Sequence, residues 1–271
     1  MAVRIALGLE YDGQAFCGWQ TQPAGCAVQD VLEDALSRIH GAPVQTVAAG
    51  RTDAGVHALA QVVHFDSNNP RPDSAWVRGV NALLPPGVAV LWALRVNARF
   101  HARYDALERS YRYVLLNHAV RPALLCGRVG WLHAPLDVSR MAEAAASLVG
   151  EHDFSAFRAA ECQARTPVRR LSQASVTRRG DFVLFEFRAN AFLQHQVRNM
   201  VGALVWVGLG RRPPEWVGEL LESRDRTRGA ATFPADGLYL TQVSYDPGWG
   251  LPEMSGRDLM PDLIPKPDRP G

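Results

Sequence analysis

Residues 50–57 combine the side chains of this chain that are best suited to chemistry. They read Gly-Arg-Thr-Asp-Ala-Gly-Val-His, so Asp53 lies between two glycines and two residues after Arg51. A carboxylate can act as a base or nucleophile, and arginine presents a rigid cationic fork that suits phosphate. The glycines permit sharp turns that let a ligand approach. The octet predicts a catalytic loop; the alternative is that Asp53 caps a turn and Arg51 is a solvated surface charge.

Strand-like apolar stretches flank the octet, at residues 44–49 and 59–65. The octet is therefore predicted to be a tight connection between two strands. Catalytic side chains are often carried on such loops, because the rigid elements on either side hold them in place.

Several other short motifs follow one another along the chain around this loop. They are Tyr11-Asp12-Gly13, Gly18-Trp19-Gln20, Gln61-Val62-Val63-His64-Phe65, Phe100-His101-Ala102-Arg103, Tyr111-Arg112-Tyr113, Asp153-Phe154-Ser155-Ala156-Phe157, Arg165-Thr166-Pro167, residues 192–202 and Gly237-Leu238-Tyr239-Leu240. Together with the octet they resemble, in the same order, the signature of the tRNA pseudouridine synthase A family. The resemblance runs from about residue 5 to about residue 245, and an ordered series of this length is very specific.

The resemblance implies an isomerase that converts uridine to pseudouridine at positions 38, 39 and 40 of the tRNA anticodon stem-loop. This reaction breaks the C1′–N1 glycosidic bond, turns the uracil and rejoins it through C5, and it needs no metal, redox cofactor or other small-molecule cofactor. The resemblance also implies that Asp53 is the catalytic nucleophile. Attack at C1′, attack at C6 and removal of a C2′ proton all remain open at this point.

Arg198 lies in a predicted helix at residues 193–207, on a stripe with Val201, Gly202 and Val205. An arginine on so apolar a stripe is costly without an anion. The family pattern pairs this arginine with the catalytic aspartate, an attraction of roughly 4 kcal/mol at about 4 Å and an effective dielectric near 20, before desolvation. We expect it among the substrate-binding residues; the alternative is that its charged end extends to the surface.

Tyr111 and Tyr113 share one face of a predicted strand, where either ring could stack on an extruded uracil. Such stacking contributes roughly 1–3 kcal/mol per base. The family pattern places the base-contacting tyrosine at Tyr111, which leaves Tyr113 to the core. Arg51 is then expected to bind the substrate and either help extrude the nucleotide or hold the space it leaves, against an unstacking cost of a few kcal/mol.

No residue pattern indicates a metal or redox site. His57, His64 and His195 lack metal-ligand spacing, and we interpret them as structural or backbone-contacting. The cysteines form no C-x-x-C pair, which argues against a zinc cluster and a redox dithiol. We therefore expect free thiols in a reducing cytoplasm at all four positions, which are Cys17, Cys26, Cys126 and Cys162.

Composition places the chain among globular proteins. It has 271 residues, 47% of them hydrophobic and 21% charged. No apolar run approaches the length of a membrane span, and the first residues enter a strand pattern without the features of a signal peptide. A cytoplasmic protein without a membrane partner is expected.

The net charge of +2 is too small to indicate a nucleic-acid partner by itself, but the distribution of charge is more informative. No acidic residue interrupts a run of five arginines at positions 165, 169, 170, 178 and 179. Such a run is either a solvated face or a surface that follows RNA phosphates. Five arginines provide little basic surface for binding an L-shaped tRNA. A homodimer with two basic surfaces is therefore expected, as the resemblance also implies.

The elements that must position these residues follow from hydrophobic periodicity. Residues 4–11 alternate as a strand, and residues 28–39 have helical spacing that ends at Gly41. With a helix near 74–81 and a strand at 88–96, the first half has the order strand, helix, strand, strand, helix, strand. The second half repeats this order with insertions. Its predicted strands are 110–116, 171–177, 182–189 and 238–245, and its predicted helices are 139–149, 193–207 and 215–221.

Two such halves predict an α+β fold in which duplicated ferredoxin-like (βαββαβ) units form a pseudouridine synthase fold with a central, mainly antiparallel sheet. Residues 1–104 are expected to form a domain that carries the aspartate loop, and residues 105–246 a second domain. Residues 247–271 contain six prolines and are expected to be a flexible tail.

Two other functions compete with the isomerase. One is a catalytically inactive RNA-binding protein of the same fold, which the intact set Arg51, Asp53, Tyr111 and Arg198 argues against. The other is a hydrolase of glycosidic bonds that uses Asp53, but most such enzymes need two carboxylates and no second acid stands out beside the octet.

Overall fold

The computed structural model describes residues 2–69 and 71–252. The chain divides into two compact units. The first contains Met1–Glu108 and takes in the chain again from Tyr239, and the second contains Arg109–Leu238. The loop that carries Asp53 belongs to the first unit.

The first unit has the element order that its hydrophobic periodicity predicts. Its elements are β1 (Val3–Tyr11), α1 (Val28–His40), β2 (Val47–Ala48), β3 (His57–Ser67), a π-helical segment (Ala75–Gly79), β4 (Val88–Val96) and, from the end of the chain, most of β10 (Leu238–Ser244).

Strand β1 is the centre of the sheet in this unit. It pairs antiparallel with β3 on one side and β4 on the other, so Leu7 lies opposite both Val63 and Ala93. Strand β2 pairs with β3, and β10 pairs with β3 in parallel through two residues. Leu7 is fully buried in this central strand.

Helix α1 begins and ends where local chemistry dictates. The Asp30 carboxylate accepts a hydrogen bond from the amide of Ala27 at 2.9 Å, which satisfies a donor that the helix leaves unpaired. The helix ends at Gly41, whose φ of 88° is a left-handed conformation that costs glycine little. Between these ends Leu32 and Leu36 recur at i and i+4 and are fully buried.

The second unit contains most of the helices. Its elements are β5 (Glu108–Asn117) from its second residue onward, β6 (Gly130–Leu132), α2 (Val138–Ala146), β7 (Gly150–Asp153), β8 (Val168–Arg179), β9 (Phe182–Ala189), α3 (Gln196–Gly208) and α4 (Trp216–Ser223).

The sheet of the second unit has the order β5-β9-β8-β7, and all three of these pairings are antiparallel. The hairpin between β8 and β9 turns at Gly180, with φ of 57°, where the sequence predicts a turn. The short β6 pairs with β5 in parallel. Helices together with mainly antiparallel sheets confirm the predicted α+β class.

Two segments at the end of the chain differ from the sequence interpretation. The last strand was assigned to the second domain, whereas its residues from Tyr239 onward group with the first unit. The tail was expected to begin at residue 247, but Trp249 and Leu251 pack against a core cluster that includes Phe100. The apolar side chains at these two positions explain the difference. The remainder of the proposed tail, residues 253–271, lies outside the described residues.

The expectation of four free thiols is wrong for two of the cysteines. Cys17 and Cys26 form a disulfide with their Cα atoms 5.5 Å apart. The amide of Cys17 also donates to the carbonyl of Cys26 at 3.0 Å, which holds the two residues side by side. Cys126 and Cys162 are free. The spacing of nine residues carries no motif, so only the fold of this segment brings the two sulfur atoms together.

Within residues 2–69 and 71–252, none of the helices combines the length and apolar character needed to cross a bilayer.

Candidate active site

Asp53 lies in a tight turn between β2 and β3, as predicted. The amide of Val56 donates to the carbonyl of Asp53 at 3.2 Å and closes the turn. Gly55 has a φ of 79°, which a type II turn requires at its third position and which glycine adopts without strain. Asp53 is partly buried. The turn therefore fixes the backbone of Asp53, and the residue stays partly accessible to solvent.

The main chain of Gly18 packs directly against this turn. Gly18 has a φ of 102°, and a Cβ added there would lie 2.8 Å from the carbonyl oxygen of Thr52 and 3.1 Å from the Asp53 carbonyl carbon. The amide of Trp19 donates to the same Thr52 oxygen at 3.0 Å. The two stretches of backbone lie so close together that no side chain fits between them, so glycine is required at position 18.

A buried hydrogen-bond network holds the turn from the sheet side. The Tyr11 hydroxyl lies 2.8 Å from Thr52 Oγ1, and Gln61 Nε2 donates to the carbonyl of Gly50 at 2.7 Å and to the Tyr11 hydroxyl at 3.4 Å. Burial raises the pKa of Tyr11 to about 12, so its hydroxyl keeps its proton over the physiological range. Tyr11 on β1 and Gln61 on β3 thereby fix the loop at Gly50 and Thr52.

Two histidines in the first unit accept hydrogen bonds from the main chain, which confirms their interpretation as backbone-contacting. His57 Nδ1 accepts from the amide of Gly13 at 3.1 Å, and its ring stacks on Tyr239 with centroids 4.6 Å apart. His64 Nδ1 accepts from the amide of Ala102 at 3.1 Å. Burial, together with the nearby charge of Arg4, lowers the pKa of His64 to about 4, so this ring stays neutral near pH 7.

Arg51 is exposed and makes no hydrogen bond or ion pair with any residue that the structure describes. It lies in the same loop as Asp53, two residues away. Its guanidinium therefore offers its donors to solvent or to a ligand at the aspartate loop.

Tyr111 and Tyr113 lie on β5 of the second unit, where they pair with Phe187 and Phe185 of β9. Tyr113 is fully buried, which confirms that it belongs to the core. Tyr111 is 8% exposed, and its ring contacts Phe192 edge to face with centroids 5.1 Å apart. The aromatic neighbour fixes the orientation of the Tyr111 ring.

Arg198 lies in the first turns of α3 and is partly exposed. The helix begins after His195, whose φ of 62° is uncommon for a residue with a side chain. Arg198 Nε donates to the carbonyl of Phe233 at 2.8 Å, while the amide of Phe233 donates back to the carbonyl of Arg198 at 3.3 Å. This reciprocal pair fixes the guanidinium at its Nε end, within the second unit.

The run of five arginines is not uniform. Arg165, Arg170, Arg178 and Arg179 are exposed, as a phosphate-contacting surface requires. Arg178 also donates to Asn117 Oδ1 at 2.8 Å and so supports the fold. Arg169 donates to the carbonyl of Thr166 at 2.9 Å, and burial of its guanidinium lowers its pKa. At most part of the run therefore remains available for RNA.

Comparisons with known proteins identify the family. A family model described as tRNA pseudouridine synthase matches residues 9–105 and 144–246. The chain belongs to this family. A tRNA pseudouridine synthase A of Thiobacillus denitrificans is 61% identical over 255 residues, which cover 94% of this chain and 98% of the relative.

Two further relatives carry the same name. One from Methylobacillus flagellatus is 60% identical over 250 residues and covers 92% of this chain and 96% of the relative. Another from Burkholderia multivorans is 54% identical over 270 residues and covers 98% of this chain and all of the relative. The chain thus matches these tRNA pseudouridine synthases A over nearly their full length, and the predicted family of isomerases is confirmed.

In this tRNA pseudouridine synthase, sequence reasoning identified the aspartate loop but missed what supports it. Tyr11, Gly18 and Trp19 all belong to motifs that carry the family resemblance, yet the sequence assigned them no role. The sequence signal available for these three residues was the order of their motifs along the chain. Their contacts with Thr52 involve residues 33 to 41 positions apart, and local patterns do not predict contacts of that range.

The contact between Gly18 and the loop yields a test with a matched control. Gly18→Ala places a Cβ 2.8 Å from the Thr52 carbonyl oxygen, whereas Gly25→Ala, also at a positive φ of 64°, has nothing within 4 Å. Both variants bear the cost of a left-handed alanine, about 1–2 kcal/mol. We expect Gly18→Ala to lose roughly 1–3 kcal/mol more from overpacking, and its pseudouridine-forming rate to fall at least about tenfold.

Denaturant unfolding and initial rates on unmodified tRNA measure the two effects. Gly25→Ala should keep a rate within about twofold of the wild type. Equal losses in the two variants would show that the close contact at Gly18 does not support the aspartate loop.

Proposed function

We propose that this chain isomerises uridine to pseudouridine at positions 38, 39 and 40 of the tRNA anticodon stem-loop, with Asp53 as the nucleophile. Membership of the tRNA pseudouridine synthase family supports the reaction. The assignment of Asp53 rests on the contacts that hold its loop in place. Gly18, Tyr11 and Gln61 all contact its loop, and the aspartate itself remains partly accessible.

The reaction makes limited demands that the residues of the chain meet. A carboxylate can form and release a covalent adduct with a sugar or base, which leaves the uracil free to turn. Rejoining through C5 forms the C1′–C5 bond and releases the hydrogen of that carbon as a proton, while N1, whose bond to C1′ was broken, takes up a proton. Because bonds to carbon are exchanged without net oxidation, the chemistry needs no redox partner. A rigid turn such as that at Val56 and Asp53 keeps the nucleophile in place through both steps.

Three other residues are proposed to bind the substrate. Tyr111 stacks on the extruded uracil, because its ring is held by Phe192 while the residue keeps some exposure. Arg51 contacts phosphate or occupies the space that the nucleotide leaves, because it is exposed beside Asp53. Arg198 supplies a cation whose Nε end is fixed, so that its remaining donors have a defined direction.

The role of Asp53 predicts a separation of turnover from binding. Asp53→Asn keeps the size of the side chain but removes the charge and the nucleophile. We expect turnover to fall below detection, while tRNA affinity changes less than about tenfold because phosphate contacts elsewhere supply most of the binding. Release of tritium from tRNA labelled at uridine C5 measures turnover, and filter binding measures affinity. Near-normal tritium release from Asp53→Asn would remove the assignment.

The role of Tyr111 predicts a difference between two substitutions. Tyr111→Phe keeps the aromatic face, whereas Tyr111→Leu loses it and with it roughly 1–3 kcal/mol of stacking. Affinity for an anticodon stem-loop with an extruded base should therefore be retained in the first variant and fall at least about fivefold in the second. Fluorescence titration of a stem-loop with 2-aminopurine at the target position measures the affinity of each variant. Indistinguishable affinities in wild type and both variants would show that Tyr111 does not contact the base.

We also propose a homodimer in the cytoplasm, in which residues of both copies contact each tRNA. The exposed arginines at positions 165, 170, 178 and 179 provide little basic surface for a structured RNA in one chain, and closed two-fold dimers are the commonest homo-oligomers. Light scattering and analytical ultracentrifugation at micromolar protein should give about twice the chain mass of 29.8 kDa. A fully active species at the mass of a single chain would contradict the proposal.

A further inference from the structure

A buried hydrogen-bond network lies next to Arg198 in the second unit. Its centre is Asn199, which is 2% exposed and is engaged at both ends of its amide. Asn199 Nδ2 donates to the carbonyl of Phe157 at 2.8 Å. Asn199 Oδ1 accepts from the Thr232 hydroxyl at 2.7 Å and from Arg226 at 3.0 Å. A side chain that is satisfied on both sides in this way has one orientation.

The network holds the segment that carries the acceptor for Arg198. Thr232 immediately precedes Phe233, and the Arg226 guanidinium also donates to Thr232 Oγ1, at 3.3 Å. The Phe233 carbonyl accepts from Arg198 Nε at 2.8 Å. Because arginine has a single Nε–H, the position of this carbonyl sets the plane of the guanidinium.

Close packing at Gly202 fixes the same segment from a second side. A Cβ added at Gly202 would lie 2.5 Å from the carbonyl oxygen of Ala231. The ring of Phe233 contacts Tyr113 edge to face, with centroids 5.5 Å apart. The residues from Ala231 to Phe233 are thus held against α3 through main-chain contact and side-chain hydrogen bonds, and against β5 through the aromatic pair.

We propose that Asn199, Thr232 and Arg226 are positioning residues for the isomerisation: they hold the Phe233 carbonyl where it orients the Arg198 guanidinium. The proposal rests on the role of Arg198 given under the proposed function. None of the three needs to touch the substrate. A small displacement of a substrate-positioning group lowers catalysis far more than it lowers stability, and about 1 Å can cost about 100-fold.

Thr232→Val is the primary test, because it removes the hydroxyl and keeps the shape of the side chain. We expect kcat for tritium release to fall about 10–100-fold with KM changed less than about threefold. Thr232→Ser restores the hydroxyl and should return kcat to within about threefold of the wild type. Thr227→Val is the matched control: among the described residues, the Thr227 hydroxyl bonds only to Asp225, at 2.7 Å on the exposed side of the same connection.

A second measurement reads the position of Arg198 directly and does not depend on activity. The Nε–H signal of Arg198, assigned by its loss in Arg198→Lys, is followed by nuclear magnetic resonance in protein labelled with ¹⁵N-arginine. Solvent exchange of this proton should be at least about tenfold faster in Thr232→Val and unchanged in Thr227→Val. Should Thr232→Val fail to fold, Arg226→Gln removes the other donor to Asn199 and is measured in the same way.

The outcomes separate this proposal from the proposed function. Unchanged Nε–H exchange and unchanged kcat in Thr232→Val overturn the positioning role, as does a lower melting temperature with normal kcat. Faster exchange with normal kcat also overturns it, because the orientation of Arg198 would then not limit the reaction. If Arg198→Lys alone retains full kcat, the proposed role of Arg198 fails, whatever the exchange measurement shows about Thr232.

Discussion

The backbone contact between Gly18 and the aspartate loop is the constraint on which the candidate site depends. It brings two stretches of main chain closer than any side chain at position 18 would permit, with 2.8 Å between the site of a Cβ and the Thr52 carbonyl oxygen. Trp19 donates to that same oxygen, and Tyr11 contacts the Thr52 side chain. Thr52 is therefore held at its main chain and its side chain at once, and Asp53 follows it directly.

The second unit uses the same principle at a different group. The position of the Arg198 guanidinium does not depend only on the rigidity of α3, because the Phe233 carbonyl accepts a hydrogen bond from its Nε. The chain around Phe233 is itself held by Asn199 and by close contact at Gly202. In both units a glycine allows main-chain contact, and buried hydrogen bonds then fix the neighbouring candidate site residue, Asp53 in the first unit and Arg198 in the second. Such preorganisation lowers the cost of ordering the site when the substrate binds.

Sequence patterns predicted the elements better than the contacts between them. The spacing of Leu32 and Leu36 and the stop at Gly41 predicted α1 within a residue, because helix periodicity and caps are local properties. The aspartate loop was likewise predicted from local chemistry and family resemblance. Local patterns did not predict the pairing of Cys17 with Cys26, since the segment is shaped partly by contacts with distant residues, such as the hydrogen bond from Trp19 to Thr52.

The most direct test of this account is to map the product in the RNA. Unmodified tRNA is incubated with the protein, pseudouridine is labelled with carbodiimide, and primer extension locates the labelled positions. A tRNA with cytidine at positions 38, 39 and 40 is the control. The proposed reaction predicts stops that correspond to uridines at positions 38 to 40 in the first RNA and none in the control. Stops at other positions in both RNAs, or no stops in either, would contradict it.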